Sequence, residues 1–186
     1  MTYVFNIIIS ILLCIVLSPI IILLSLLIKI SSRGSILHWS KRVGLNNELF
    51  YMPKFRTMVM QTPNIATHEL RNPNIYITKI GLFLRKTSLD ELPQFFSIIK
   101  GDMNFVGPRP ALFNQDDLIR IRTKKNIHKI NPGITGWAQI NGRDNITIEE
   151  KVKLDFYYLE NASLILDLKI LFLTIIQVFK KNNISH

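Results

Sequence analysis

Residues 4–28 read VFNIIISILLCIVLSPIIILLSLLI, and the reading of this run decides the architecture. No charged side chain occurs between Met1 and Ile28. As one helix of about 25 residues, at about 1.5 Å each, it would cross a hydrocarbon core of roughly 30 Å. Ser18-Pro19 disturbs that arrangement. Proline removes a backbone donor and clashes with the preceding turn, so a helix bends or breaks there. The break leaves about 15 and about 10 residues, roughly 22 Å and 15 Å of helix, and neither half spans a bilayer alone. Two architectures follow: a kinked spanning helix, or a helix-break-helix that enters and leaves the same membrane face. Ser18 is placed to bond a carbonyl freed by the break, which would offset part of its cost.

The flanks orient the segment. Lys29, Arg33, Lys41 and Arg42 follow it and nothing charged precedes it. By the positive-inside rule the remainder lies in the cytoplasm. There is no basic n-region and no small-residue cleavage site, which argues against a signal peptide. The expected division is a membrane anchor over residues 1–30 and a cytoplasmic domain over 31–186.

The chain has 186 residues and a net charge of +10, with 48% hydrophobic residues. A basic domain alone suggests a polyanion partner. A basic domain tied to a long apolar run points instead to an anionic membrane surface or a phosphorylated substrate. No nucleic-acid recognition motif is present, so that class fits only the charge. Cys14 is the single cysteine, which excludes an intrachain disulfide, and no Cys/His spacing reads as a zinc site. A second lipid contact is expected from Leu164 to Phe179. Asp167, Thr174, Gln177 and Lys181 share a helical stripe there, which suits a helix lying in the interface plane, although a core-packing helix fits equally.

Between these ends the chain reads as a mostly helical α+β domain without the strand-helix alternation of a Rossmann sheet. Short strands are expected at Ser35 to Trp39, Leu49 to Tyr51 and Lys54 to Met58. An irregular loop is expected over 61–78. Helices are expected at Ile80 to Arg85, Glu91 to Lys100, Phe113 to Arg122 and Glu149 to Glu160.

Three clusters can carry chemistry. The first is Arg85-Lys86-Thr87-Ser88-Leu89-Asp90-Glu91-Leu92-Pro93-Gln94. Ser88 with Glu91 matches a capping box, and Asp90 as N-cap would leave Pro93 at a position where its missing N–H costs nothing. Either register puts two carboxylates at a helix N-terminus, where the macrodipole favours the ionised forms and low pKa values are the expected direction. Such a pair suits phosphate chemistry: an Asp can attack phosphorus, and a neighbouring carboxylate can hold Mg2+ together with substrate phosphates. A plain helix cap is the competing reading.

The second cluster is Lys100-Gly101-Asp102-Met103-Asn104-Phe105-Val106-Gly107-Pro108-Arg109-Pro110, where two prolines stiffen the turn that carries a guanidinium suited to phosphate; a surface turn with a solvated arginine is the competing reading. The third runs from Asn131 to Arg143 and holds Gly133, Gly136 and Gly142, with Trp137 as a flat face and Arg143 as an anion contact. Its glycines would permit close approach to a ligand.

In this order and spacing the clusters resemble the bacterial sugar transferase family, the monotopic phosphoglycosyl transferases that begin glycan assembly on polyprenyl phosphate. The matching stretches also include Lys54-Phe55-Arg56-Thr57-Met58, Asp155-Phe156-Tyr157-Tyr158 and Asp167-Leu168-Lys169. The length is similar to that of the small members, and the likeness is greatest to enzymes that start N-linked or O-antigen-like glycans from a UDP-linked N-acetylated deoxysugar. The resemblance implies a UDP-sugar and undecaprenyl phosphate as substrates, UMP as product, and Asp90 as a nucleophile that holds the phosphosugar covalently. It implies Glu91 as Mg2+ ligand, Arg85 and Arg109 as phosphate neighbours, and functional positions at Arg143 and Asp167. It further implies that the Ser-Pro break marks a re-entrant helix and that the domain works on the cytoplasmic face of the bacterial inner membrane. The uncharged start, Met1 to Asn6, departs from members that begin with basic residues and an Asp. A non-catalytic adaptor that binds anionic lipid is the rival expectation.

Overall fold

The computed structural model describes residues 3–62, 72, 75–142 and 146–181, with only the backbone of 179–181. The apolar run folds as two helices, α1 (Tyr3–Val16) and α2 (Ser18–Ser31), bent by 63° at the break. The cause is legible atom by atom. Pro19 cannot donate to the Ile15 carbonyl, and the Ser18 hydroxyl donates to it instead at 2.7 Å. Each helix has 14 residues, about 21 Å. Among the described residues no single helix is long and apolar enough to cross a membrane; the bent pair passes that test only together.

Both helices expose apolar side chains, but α1 buries polar ones and α2 buries Leu24 and Ile28. Asn6 and Ser10, one turn apart on α1, are buried, while Val4, Ile8, Leu12 and Ile15 are exposed. The Asn6 amide donates to the Asn104 side chain at 3.0 Å. The end of α2 is held by Arg56, which donates to the Ser32 and Arg33 carbonyls and the Ser32 hydroxyl at 2.7–2.9 Å. Gly34 is required there: its φ is +124°, and a Cβ would collide with the Arg56 guanidinium.

A hairpin follows, β1 (Leu37–Val43) and β2 (Leu49–Phe55), antiparallel with Ser40 opposite Met52 and His38 opposite Lys54. The two strands expected around Pro53 are one strand. A two-stranded ribbon leaves every strand an edge, where proline is tolerated. The loop expected over 61–78 lies largely outside the described residues. α3 (Lys79–Thr87) is capped by Thr78, whose hydroxyl accepts from Gly81 N at 2.9 Å. The helix expected from Glu91 is a 3-10 stretch over Leu89–Gln94 that passes into α4 (Phe95–Lys100). Gly101, at φ 90°, ends it as expected.

β3 (Asn104–Val106) and β4 (Gly133–Thr135) pair in parallel. α5 (Asp116–Lys124) starts three residues later than expected, and α6 (Trp137–Asn141) follows β4 directly. α7 (Ile148–Asn161) carries a capping box between Thr147 and Glu150. α8 (Leu164–Lys181) turns its polar stripe inward. Asp167 is buried, Thr174 meets Thr135 at 2.7 Å, and Gln177 donates to the Ile140 carbonyl at 2.6 Å. Leu164, Ile165, Leu168, Phe172 and Ile175 are exposed.

The hydrophobic clusters cross residue 30. Ile9 and Leu13 pack on Met52, Ile98 and Phe105, while Leu24 and Ile28 are buried with Phe55 and Leu84.

Candidate active site

The carboxylate pair is reached from three sides: the 3-10 stretch, the hairpin and the proline turn. Ser88 sits in the left-handed region at φ 58° and its side chain makes no cap bond, so neither capping register forms. The tighter 3-10 path replaces an α-helical first turn and frees both carboxylates for other partners.

Glu91 points into the protein. Its Oε1 accepts from Lys54 Nζ at 3.0 Å and from Arg109 Nη2 at 3.1 Å, with the Glu91 and Lys54 side chains only 17% and 15% exposed. Burial alone would raise the Glu91 pKa. Lys54 and Arg109 outweigh it and hold the carboxyl well below the usual carboxylate range. Asp90 behaves differently. Among the described residues it takes no hydrogen bond or ion pair. Burial pushes its carboxyl up from 3.8, with Lys54, Arg85 and Arg109 pulling the other way and Glu91 adding to the rise. The low pKa expected from the macrodipole is thus found only at Glu91, and there the cause is two cations. At Asp90 burial is the largest influence and outweighs the neighbouring cations.

Arg85 stands on the last turn of α3 and donates from Nε to the buried Thr57 hydroxyl at 2.9 Å. Asp90 acts on it electrostatically. Arg42, on β1, is a further cation: its pKa is lowered to about 10, by burial first and by Arg109 next. Two carboxylates therefore face four basic groups, Lys54, Arg42, Arg85 and Arg109, a surplus of positive charge suited to a polyanion.

The proline turn is held along its whole length. Pro108 O accepts from Gly133 N at 3.0 Å, Arg109 O from Arg122 Nη1 at 2.8 Å, Pro110 O from Arg42 Nη1 at 3.1 Å and Ala111 O from Val43 N at 3.0 Å.

Of the expected site residues, Asp90, Glu91, Arg85 and Arg109 come together. Asp167 lines a different cavity, of about 420 Å³, with Asn6, Asn104 and Lys129, and accepts from the Tyr158 hydroxyl at 2.7 Å. Arg143 lies outside the described residues. The glycine loop is not a ligand cradle: a Cβ at Gly133 or Gly136 would strike the Gly107 backbone, so the close approach is between β4 and the chain after β3. Trp137 stacks on Tyr157 with ring centroids 5.4 Å apart, and Lys169 Nζ lies 5.5 Å from its ring.

Lys54, Arg42 and Arg122 carried no expected role. For Lys54 and Arg42 the available signal was period-two alternation, since Arg42, Ser40 and Lys54 share the inner face of the hairpin.

Glu91 and Asp90 offer hard oxygen donors, and both cations on Glu91 take the same oxygen. Among the described residues no cluster of three His, Cys, Asp or Glu side chains could cage an ion. The hard carboxylate oxygens of Asp90 and Glu91 are the donor type that Mg2+ takes, through one or two carboxylates plus substrate phosphates.

Comparison with known proteins bears on this site. The profile described as bacterial sugar transferase matches residues 1–181. A UDP-glucose:undecaprenyl-phosphate glucose-1-phosphate transferase of Klebsiella pneumoniae is 38% identical over 181 residues, 94% of this chain and 39% of that protein. The uncharacterized sugar transferase EpsL of Bacillus subtilis (strain 168) is 44% identical over 149 residues, 77% of this chain and 70% of that protein. A UDP-N-acetylgalactosamine-undecaprenyl-phosphate N-acetylgalactosaminephosphotransferase of Aeromonas hydrophila is 37% identical over 164 residues, 85% of this chain and 38% of that protein. The chain spans about two fifths of the length of the glucose-1-phosphate transferases that it matches.

Proposed function

From the premise that this chain belongs to the bacterial sugar transferase family, we propose that it moves a sugar 1-phosphate from a UDP-sugar to undecaprenyl phosphate and releases UMP. The observation that carries the proposal is the contrast within the pair. Among the described residues Asp90 takes no hydrogen bond or ion pair, and Glu91 beside it is locked between Lys54 and Arg109.

In the first step an Asp90 carboxylate oxygen attacks the sugar-proximal phosphorus. The bond from that phosphorus to the UMP oxygen breaks, UMP leaves with the electron pair, and an acyl phosphate carries the sugar. In the second step an oxygen of undecaprenyl phosphate attacks the same phosphorus. The bond to Asp90 breaks, the carboxylate is restored, and the lipid holds a diphosphate-linked sugar. A desolvated carboxylate with a raised pKa is the better nucleophile of the two. Carboxylate attack on a pyrophosphate is repulsive, and Lys54, Arg85, Arg109 and Arg42 offset that charge. Mg2+ bound by Glu91 would supply further neutralisation of the pyrophosphate.

The anchor serves the acceptor. With α1, α2 and α8 exposing apolar faces, and α1 and α8 burying polar side chains, we read the bent pair as a re-entrant element and α8 as a helix in the interface plane. That reading keeps Asp90 on the cytoplasmic side, at the level of lipid phosphates. The relatives' names span glucose and N-acetylgalactosamine, so the donor is a UDP-hexose or UDP-N-acetylhexosamine, and the N-acetylated preference is one of two cases.

The test is UMP release from a panel of UDP-sugars with undecaprenyl phosphate in detergent or nanodiscs. Wild type is expected to release UMP with at least one donor, and Asp90→Asn to release none while still melting cooperatively. Near-normal turnover by Asp90→Asn would remove Asp90 as the nucleophile. No release by wild type with any donor would favour the lipid-binding adaptor.

A further inference from the structure

Arg122 and Asp155 lie outside the carboxylate site, yet they are among the most buried charges in the protein, at 8% and 1% exposure. Arg122 comes from α5 and Asp155 from α7. Arg122 Nε and Nη2 both donate to Asp155 Oδ2, and Nη1 donates to the Arg109 carbonyl at 2.8 Å. One planar guanidinium thus ties three segments together. Its cost is high, since burying two charges is repaid only by good geometry and full hydrogen bonding. An apolar pair of similar volume would pack α5 against α7 as well or better, so packing does not account for it.

What the pair adds is a donor to one carbonyl. Prolines at 108 and 110 supply no N–H, so the turn has few donors of its own. Its four carbonyls are instead held by donors from β4, α5 and β1. The donor on Arg109 itself is the guanidinium that Asp155 orients. A backbone fixed at that residue lets its side chain reach Glu91 Oε1 at 3.1 Å.

We infer that Arg122, oriented by Asp155, is a positioning residue that fixes the Arg109 peptide and so aims the Arg109 guanidinium at the carboxylate site. The inference rests on the proposed transfer reaction for its kinetic consequence, and on geometry alone for its structural one. Arg122 acts through Arg109 and does not touch the reacting atoms. Lysine at 122 keeps the charge but cannot bond Asp155 and the carbonyl with one rigid fork.

The experiment is a double-mutant cycle on kcat/KM for UMP release. Arg122→Lys alone is expected to lower kcat/KM by roughly 10- to 100-fold, a misplacement effect. In an Arg109→Ala background the same change is expected to have less than about a twofold effect, because residues acting as one unit are not additive. Multiplying losses would overturn the inference, since a purely structural role weakens both backgrounds alike. A readout independent of turnover is the 15N spectrum of arginine side chains, with the Arg109 signal assigned by its loss in Arg109→Lys. A slowly exchanging Arg109 signal in wild type that averages out in Arg122→Lys supports the inference, and an unchanged signal refutes it. This arm stands even if wild type releases no UMP, a result that would sink the proposed reaction alone. Should Arg122→Lys fail to fold, Asp155→Asn, which keeps the shape of the partner, takes its place in both arms.

Discussion

Replacing Lys54 by methionine removes one of the two cations on Glu91 and leaves a side chain of similar length. Unit charges 3.0 Å apart, as Lys54 and Glu91 are, attract by roughly 5 kcal/mol at an effective dielectric of about 20. Much of this repays desolvation, because both side chains are mostly out of water. Breaking a buried pair by removing one partner costs about 3–5 kcal/mol. Arg109 still holds the same oxygen, so the lower end applies, about 3 kcal/mol. For a chain of this size that is a fall in Tm of about 6–12 °C. The pH dependence has a definite sign. The folded Glu91 pKa lies well below its ordinary value of 4.5. The stabilisation from its ionised form is therefore complete above that value and is lost as pH falls toward the folded pKa. Melting of wild type and Lys54→Met in the same detergent should show the full gap at pH 7 and a narrower one at pH 3. UMP release at pH 7 should fall at least about tenfold, since a charge that offsets the pyrophosphate is gone. A gap below about 2 °C at pH 7, or one that widens at pH 3, would show that the pair does not carry the energy assigned to it.

Asp90, the proposed nucleophile, is expected to destabilise the fold. Burial raises the Asp90 pKa, so ionised Asp90 costs stability as pH rises through its folded value, and Asp90→Asn should melt higher than wild type at pH 7. That gain should vanish below pH 3.8; a lower Tm at pH 7 would contradict the desolvation argument. EDTA should stop UMP release and added Mg2+ should restore it, while full activity in chelator would count against a metal role for Glu91. The double change Ser18→Ala with Pro19→Ala should fuse α1 and α2 into one helix of about 43 Å, long enough to span. A tag at the N-terminus should then become labelled from the outer side, whereas the proposed topology has wild type labelled from the cytoplasmic side. Identical labelling of the two would defeat the account of the bend.

The local features of this protein were legible in its sequence, and the long-range ones were not. Pro19 dictated the bend because a missing N–H acts on its own helix, and Ser18 was identified as the compensating donor. Asp90, Glu91, Arg85 and Arg109, which the structure brings together, could be singled out because they lie within short, patterned stretches. The 3-10 path at Leu89 was missed because a local capping pattern competes with tertiary contacts, and Glu91 gains more from Lys54 and Arg109 than from a backbone N–H. Those partners lie 37 and 18 positions away, beyond what helical spacing can show. The role of the loop glycines was misread for the same reason: their close approach is to Gly107, which only the β3–β4 pairing brings near. The inward stripe of α8 was seen as a pattern, but which side faced protein needed the structure.

The polar contact between Asn6 and Asn104 and the packing of Ile9, Leu13, Leu24 and Ile28 change what the apolar leader is. It is a wall of the folded body as well as the proposed lipid contact. Cutting the chain after residue 30 to obtain a water-soluble enzyme would strip two hydrophobic clusters and strand an amide beside β3. The excised domain should aggregate, and a foreign transmembrane helix grafted in its place should not rescue it, since tethering restores proximity to the bilayer but none of the missing contacts.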